Sequence, residues 1–194
     1  MKTWIATTAV LLAFSGFEAD GKMRQPDAVV RVFVRTSRVP IPGVVMSTGE
    51  MEAARLFREL GIRLDWTLDG GKDNEPASGA IEITFQPHAP QGFATPERQK
   101  ALAFAQPYSR DPALITVFGD RVIACLSRYD QNQAGRVLGY ILAHEIAHVL
   151  EGESRHSETG VMKAEWNQEE FRLMTVSGLT FALEDRNMIR RALQ

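Results

Sequence analysis

The sequence predicts a single α+β domain, and three observations support this fold class. The chain has 194 residues, which is long enough for one well-buried domain and short for two. Several short segments alternate apolar and polar residues, as β-strands with one buried face do. Elsewhere the apolar residues follow helical spacing, and residues 137–150 are apolar nearly all round, as in a helix buried in a core.

The N-terminal segment has the layout of a secretory signal peptide. Lys2 precedes an apolar stretch over residues 4–14, and small residues follow it. We therefore expect residues 1–19 to be a signal peptide and residues 20–194 to form the mature domain, in an extracellular or periplasmic location. An uncleaved N-terminal anchor is the alternative, because the positively charged region is a single lysine.

The first half of the domain reads mainly as strands. Valines alternate with other residues over residues 30–35, which predicts a first strand. Ser47 and Glu50 are spaced as a capping box, which predicts the start of a helix that ends at Gly61. Four more short apolar segments follow, at residues 64–68, 81–85, 101–105 and 114–122.

A histidine motif lies on the buried helix. Three of the four histidines fall within the sequence HEIAHVLEGESRH, which begins at His144. His144 and His148 are four residues apart, so on a helix they share one face and can bind one metal ion. Glu145 can reach a water on that ion as general base. A bound cation offsets the cost of burying these groups, about 1–3 kcal/mol for each unsatisfied one. We predict a Zn²⁺ site.

The third zinc ligand is predicted to be His156. Gly152 can end the helix in a left-handed conformation, after which the chain can turn back toward the metal. If His156 were not a ligand, Glu169 or Glu170 on a following helix could complete a gluzincin-type site. A non-catalytic module that keeps zinc for structure is a further alternative, and it would have a closed coordination shell.

The C-terminal region is predicted to be helical. Asn167 and Glu170 form a second capping-box pair, opening a helix that continues to about Val176. A last helix is expected from residue 181 to the C-terminus. Its inward-facing residues are predicted to be Phe181, Met188, Ile189 and Ala192.

These motifs resemble the metzincin clan of zinc endopeptidases, and the sequence HSETGVM over residues 156–162 is most similar to the matrixin branch. The resemblance implies catalysis by Glu145 and a Met-turn at Met162, beneath the metal. It implies zinc ligands at His144, His148 and His156. In the family pattern HExxHxxGxxH, glycine stands where this chain has Glu151 and histidine where it has Ser154. The third ligand therefore comes two residues later than in the family.

The resemblance also implies an architecture and a mode of substrate binding. We expect a twisted five-stranded mixed sheet, a backing helix, an active-site helix and a small C-terminal helical subdomain. In the family, a peptide or protein substrate in extended form adds to the edge strand above the cleft. That strand corresponds here to Ala103, Phe104 and Ala105. This segment has no histidine or acid, so we expect no second metal site there.

Composition restricts the remaining functions. The 22 basic and 24 acidic residues are interspersed, so nothing predicts a nucleic-acid surface. No apolar run after the N-terminus is long enough to span a bilayer, so no stable membrane insertion is expected after signal cleavage. Cys125 is the only cysteine and is expected to be a buried small hydrophobe. His88 is expected to be a loop residue. We expect a monomer whose partner is its substrate.

Overall fold

The computed structural model describes residues 26–36, 38–68, 76, 78–93, 95, 98–107 and 111–193. The predicted signal peptide lies outside these residues. In chain order the helices and strands are β1 (Ala28–Arg35), α1 (Gly43–Arg58), β2 (Ile62–Leu68), β3 (Ile81–Gln86), β4 (Ala103–Gln106), β5 (Ala113–Phe118), α2 (Gly119–Leu126), α3 (Gln131–Glu151), α4 (Gln168–Val176) and α5 (Leu183–Ala192). Within the described part of the chain, no helix is both long and apolar enough to cross a membrane.

The five strands form one mixed sheet in the order β2-β1-β3-β5-β4. β2, β1, β3 and β5 are parallel, and β4 pairs antiparallel with β5 at the edge of the sheet. Parallel neighbours need a crossover connection, and α1 provides it between β1 and β2. This architecture confirms the predicted α+β class and the five-stranded mixed sheet.

α1 and α3 pack against each other closely because glycines lie at their crossing. A Cβ atom on Gly139 would lie 2.6 Å from Cβ of Glu52 and 2.8 Å from the carbonyl oxygen of Gly49. A Cβ atom on Gly135 would collide with Thr48 in the same way. α3, which carries the histidine motif, is therefore held against α1, the predicted backing helix, with no room for a side chain at these two positions.

We predict that Gly139→Ala destabilises the fold, because the added methyl group overpacks this crossing. Alanine in an open helix position gains about 1 kcal/mol over glycine, whereas overpacking a core costs about 1–3 kcal/mol. Urea denaturation should therefore show a lower free energy of unfolding. Gly43→Ala is the matched control, since a Cβ atom there meets no atom within 4 Å. Equal or greater stability of Gly139→Ala would show that the crossing can relax.

The start of α1 differs from the prediction. The helix begins at Gly43 after Pro42, whose carbonyl oxygen accepts hydrogen bonds from the N–H groups of Val45 and Met46 at 2.9 and 3.0 Å. The capping box predicted at Ser47 is therefore wrong. Ser47 lies inside the helix, and its hydroxyl donates to the carbonyl of Val44 instead.

The apolar segment predicted over residues 114–122 also divides differently. The strand ends at Phe118, and the short helix α2 follows from Gly119. In this helix Val122 and Leu126 face the protein core, while Ile123 is exposed. Residues 119–122, which were predicted to belong to the strand, therefore form the start of a helix. Cys125 is half-buried on α2, less buried than predicted, and burial raises the pKa of its thiol.

The C-terminal helices agree with the prediction in part. α4 has the capping box of Asn167 and Glu170 and ends at Val176, which confirms that helix. α5 begins at Leu183, and its Ile189 is buried as expected. Ala192 is exposed, so its predicted inward position is wrong. The buried polar residue of this helix is Asp185, which the sequence pattern did not reveal.

Candidate metal centre and active site

The second half of α3 positions the first two histidines. Asp130 caps the start of the helix by accepting a hydrogen bond from the Gln133 N–H at 2.9 Å. Gly152 ends it in the left-handed conformation, with φ of 68°. Because the helix is unbroken between these caps, His144 and His148 lie one turn apart on the same face and are both buried.

Each of these two imidazoles is oriented by a backbone carbonyl. Nδ1 of His144 lies 2.8 Å from the carbonyl oxygen of Val161, and Nδ1 of His148 lies 3.1 Å from that of Glu153. A carbonyl can only accept, so both Nδ1 atoms carry the proton and both Nε2 atoms are left with a lone pair. The two Nε2 atoms are 3.0 Å apart. This is the arrangement that two ligands of one metal ion require.

His156 completes a cluster with these two residues. It lies in the irregular segment after α3, and a ligand atom of each of the three histidines lies within 4.8 Å of the others. Glu169 and Glu170, the alternative ligands, lie outside this cluster. Glu169 is exposed and paired with Arg172, while Glu170 caps α4 and pairs with Lys163. Within the described residues, the candidate metal cluster therefore contains His156 and neither carboxylate.

Electrostatics keep these histidines neutral. Burial first, together with the neighbouring histidines, lowers the pKa of His144 to about 3 and that of His148 to about 4. Burial also lowers the pKa of His156, and Arg155 adds to the effect. Neutral imidazole is the form that binds a metal. Three neutral nitrogen donors within 4.8 Å of one another are a donor set that Zn²⁺ accepts.

Glu145 lies beside the cluster with its carboxylate buried. Burial raises its pKa to about 8, while a hydrogen bond from the Ala105 backbone N–H acts in the opposite direction. Since Ala105 belongs to the edge strand β4, this bond ties the predicted general base to the strand above the cleft. A divalent cation at the cluster would favour the ionised carboxylate.

The segment that contains Met162 contacts the first histidine through Val161, whose carbonyl oxygen orients His144. Met162 is 1% exposed, and its carbonyl oxygen accepts a hydrogen bond from the Ser157 N–H at 2.8 Å. Val161, whose carbonyl orients His144, is held in turn by a bond from its N–H to the carbonyl of Thr180 at 3.1 Å. The predicted Met-turn residue is therefore buried in a turn that supports the first histidine.

A cleft of about 800 Å³ opens in front of the cluster. β4 lines one side, where Phe104 is exposed while Ala103 and Ala105 are buried. Trp166 also lines the cleft, and its ring packs edge-on against His144 with 5.3 Å between centroids. His88 lies away from this cleft in an exposed loop, as predicted, with its side chain 83% exposed.

Three residues of this region had no clear signal in the sequence. Trp166 follows the Met-turn, where an aromatic side chain has many uses. Arg155 and Asp185 form an ion pair of 2.6 Å next to His156, and it is buried on the carboxylate side. This ion pair joins residues 30 positions apart, so sequence spacing could not predict it. The available signal was the presence of acidic residues in the first turn of α5.

Comparison with known proteins supports the fold assignment. No family model matches the sequence, and a search of curated proteins finds no match. Among solved structures, the chain is similar to the crystal structure of metalloproteinase-II from Bacteroides fragilis, with a TM-score of 0.53 and 10% sequence identity. The similarity covers 87% of this chain and 54% of that one, so the chain spans about half the length of its neighbour.

The fold and the cluster together define a class. The chain is an α+β domain with a five-stranded mixed sheet, and its fold is similar to that of a bacterial metalloproteinase. It carries three histidines that could hold one metal ion.

Proposed function

We propose that the protein is a zinc-dependent endopeptidase of the metzincin type, most similar to the matrixins. The observation that carries the proposal is the meeting of His144, His148 and His156 beside the buried Glu145, in an open cleft. The similarity of the fold to a metalloproteinase supports it. The sequence from His156 to Met162 is the basis for the matrixin branch.

The residues around the cluster suggest how hydrolysis would proceed. Bound Zn²⁺ would polarise the scissile carbonyl as a Lewis acid and lower the pKa of a water molecule that it holds. Glu145 would accept a proton from the attacking water and pass it to the leaving amine. Val161 and Glu153 would keep the ligand tautomers fixed through their carbonyl oxygens.

Substrate would bind as an extended chain beside β4. This strand is at the edge of the sheet and lines the cleft, so backbone pairing with residues 103–105 would place a peptide across the metal. Such pairing recognises the peptide backbone and needs no particular side chain on the strand. The substrate is therefore proposed to be a peptide or an unfolded segment of a protein.

The alternative of a structural zinc module is less well supported. A structural site fills four positions with protein ligands, whereas a catalytic site keeps one for water. Within the described part of the chain, the cluster has three members, and it faces a cleft.

From the N-terminal sequence we also propose that the enzyme is exported. We further propose that it acts as a monomer. N-terminal sequencing and sedimentation of the exported protein would test both points.

Removal of the metal tests the proposed function directly. Purified protein should hydrolyse a quenched-peptide library, lose this activity on treatment with 1,10-phenanthroline, and recover it when Zn²⁺ is added back. We expect about one zinc per chain by elemental analysis. The non-chelating isomer 1,7-phenanthroline is the control for inhibition unrelated to metal. Hydrolysis that survives complete metal removal would contradict the proposal.

A further inference from the structure

We propose that Asp185 is a positioning residue that holds the third ligand, His156, in the metal cluster. The inference rests on the zinc site of the proposed function. It concerns a carboxylate on the last helix, far from the histidine motif in sequence, that contacts the chain on both sides of His156.

The carboxylate of Asp185 is 0% exposed and fully engaged in hydrogen bonds. Its Oδ1 accepts a bond from Nη2 of Arg155 at 2.6 Å and another from the hydroxyl of Ser157 at 2.5 Å. Its Oδ2 accepts a bond from the Ala182 N–H at 3.1 Å. One oxygen therefore binds the loop that carries His156, while the other caps α5.

The two donors on Oδ1 are the immediate neighbours of His156. Arg155 precedes it and Ser157 follows it, so a single buried oxygen fixes the side chains on either side of the ligand. Ser157 is also tied through its backbone N–H to Met162. The segment around His156 is thereby held by hydrogen bonds to Asp185 and to Met162, and the His156 side chain lines the cleft.

His156 depends on this support more than the other ligands do. His144 and His148 lie on a rigid helix, and each is oriented by a backbone carbonyl. His156 lies outside any helix or strand and is exposed. In the described structure its ring has contacts with the other two rings but no hydrogen bond that would orient it. Its place in the cluster is therefore set by the backbone that Asp185 anchors.

Arg155 lies among three carboxylates, and only one of them forms a close bond. Oε2 of Glu151 is 3.9 Å from its Nε, and Oε2 of Glu184 is 3.7 Å from its Nη1. The ion pair with Asp185 is much shorter, and it is buried on the carboxylate side. Removing one member of such a pair leaves the other without its partner in the interior. The arginine would then be free to move toward Glu184 at the surface and draw the loop with it.

The test measures zinc affinity, so it does not depend on hydrolysis. Asp185→Asn and Arg155→Gln should each weaken zinc binding by about 10–100-fold in competition with a chromogenic chelator, the range found when groups supporting a ligand are lost. Glu184→Gln is the matched control, since this carboxylate is on the same helix, close to Arg155, and 73% exposed. It should bind zinc as the wild type does. Arg155→Lys should recover part of the affinity.

The cobalt-substituted protein provides a readout that a general loss of stability would not change. Loss of one histidine from the shell should alter the visible absorption of Co²⁺ in Asp185→Asn and Arg155→Gln, and leave it unchanged in Glu184→Gln. If Asp185→Asn does not fold, Arg155→Gln and Ser157→Ala decide the matter, because both leave the α5 cap intact. Thermal unfolding of the metal-free variants checks that they are folded.

The outcomes separate this inference from the proposed function. Wild-type zinc affinity and cobalt spectra in all three loop and helix variants would overturn the positioning role while leaving the peptidase intact. Weaker zinc binding with an unchanged cobalt spectrum would also overturn it, because the third ligand would still be in place. A wild-type protein that binds no zinc would overturn both.

Discussion

Replacing Glu145 by glutamine is expected to lower the rate of peptide hydrolysis by about 10²–10⁴-fold, the usual contribution of a general base. Glutamine has nearly the same shape as glutamate and can still accept the hydrogen bond from the Ala105 N–H, but it cannot take a proton from water. The histidine cluster is unchanged by the substitution. Zinc content and thermal stability should therefore remain close to those of the wild type.

The measurement compares kcat/KM on a quenched-peptide substrate with zinc content by elemental analysis, for the same samples. Glu158→Gln is a suitable control, because it removes an exposed carboxylate near the motif without touching the cleft. Loss of activity in Glu145→Gln with zinc retained supports the catalytic role. Full activity in this variant would refute it.

Replacing His156 by alanine is expected to reduce both zinc affinity and hydrolysis strongly, to little or no activity at low zinc concentration. Two histidines would remain as ligands where catalytic zinc sites have three protein ligands. His88→Ala is the matched control, because it removes the one histidine that lies outside the cluster. That variant should bind zinc and cleave peptides like the wild type.

The His156 variant also decides between the two kinds of zinc peptidase that the sequence left open. Unchanged zinc affinity and activity in His156→Ala would contradict the proposed metzincin type and favour a carboxylate ligand. The ion pairs of Glu169 with Arg172 and of Glu170 with Lys163 would then have to break for either acid to reach the metal. Calorimetry of zinc binding to His156→Ala and to Glu170→Gln would compare the two arrangements.

The sequence by itself determined the features that depend on local periodicity. His144 and His148 lie together because a helix repeats every 3.6 residues, and this relation holds in any fold that keeps the helix. Gly152 ends that helix for a local reason, its freedom to adopt a positive φ. The capping box of Asn167 and Glu170 was also predictable, because its bonds span only three residues. The α+β class followed from the same local patterns.

Tertiary structure decided the features that depend on contacts between distant residues. The boundary between β5 and α2 was missed because an apolar segment of that length fits a strand or a helix equally well. The capping box predicted at Ser47 failed because the helix had already begun after Pro42, whose carbonyl oxygen accepts the first hydrogen bonds of the helix from Val45 and Met46. In both cases the local pattern allowed more than one boundary, and for β5 and α2 burial of one helical face selected between them.

The complete site also depends on contacts that only the tertiary structure makes. His156 comes to the cluster only because the segment after α3 is held by Ser157, Met162 and the buried carboxylate of Asp185. Neither the hydrogen bond from Ala105 to Glu145 nor the ion pair of Arg155 could be inferred from spacing, since each joins residues that the chain separates by 30 positions or more. Helical geometry places two of the proposed ligands and the proposed base, His144, His148 and Glu145. The third proposed ligand and the surroundings of the site require the packing of the edge strand and the last helix against them.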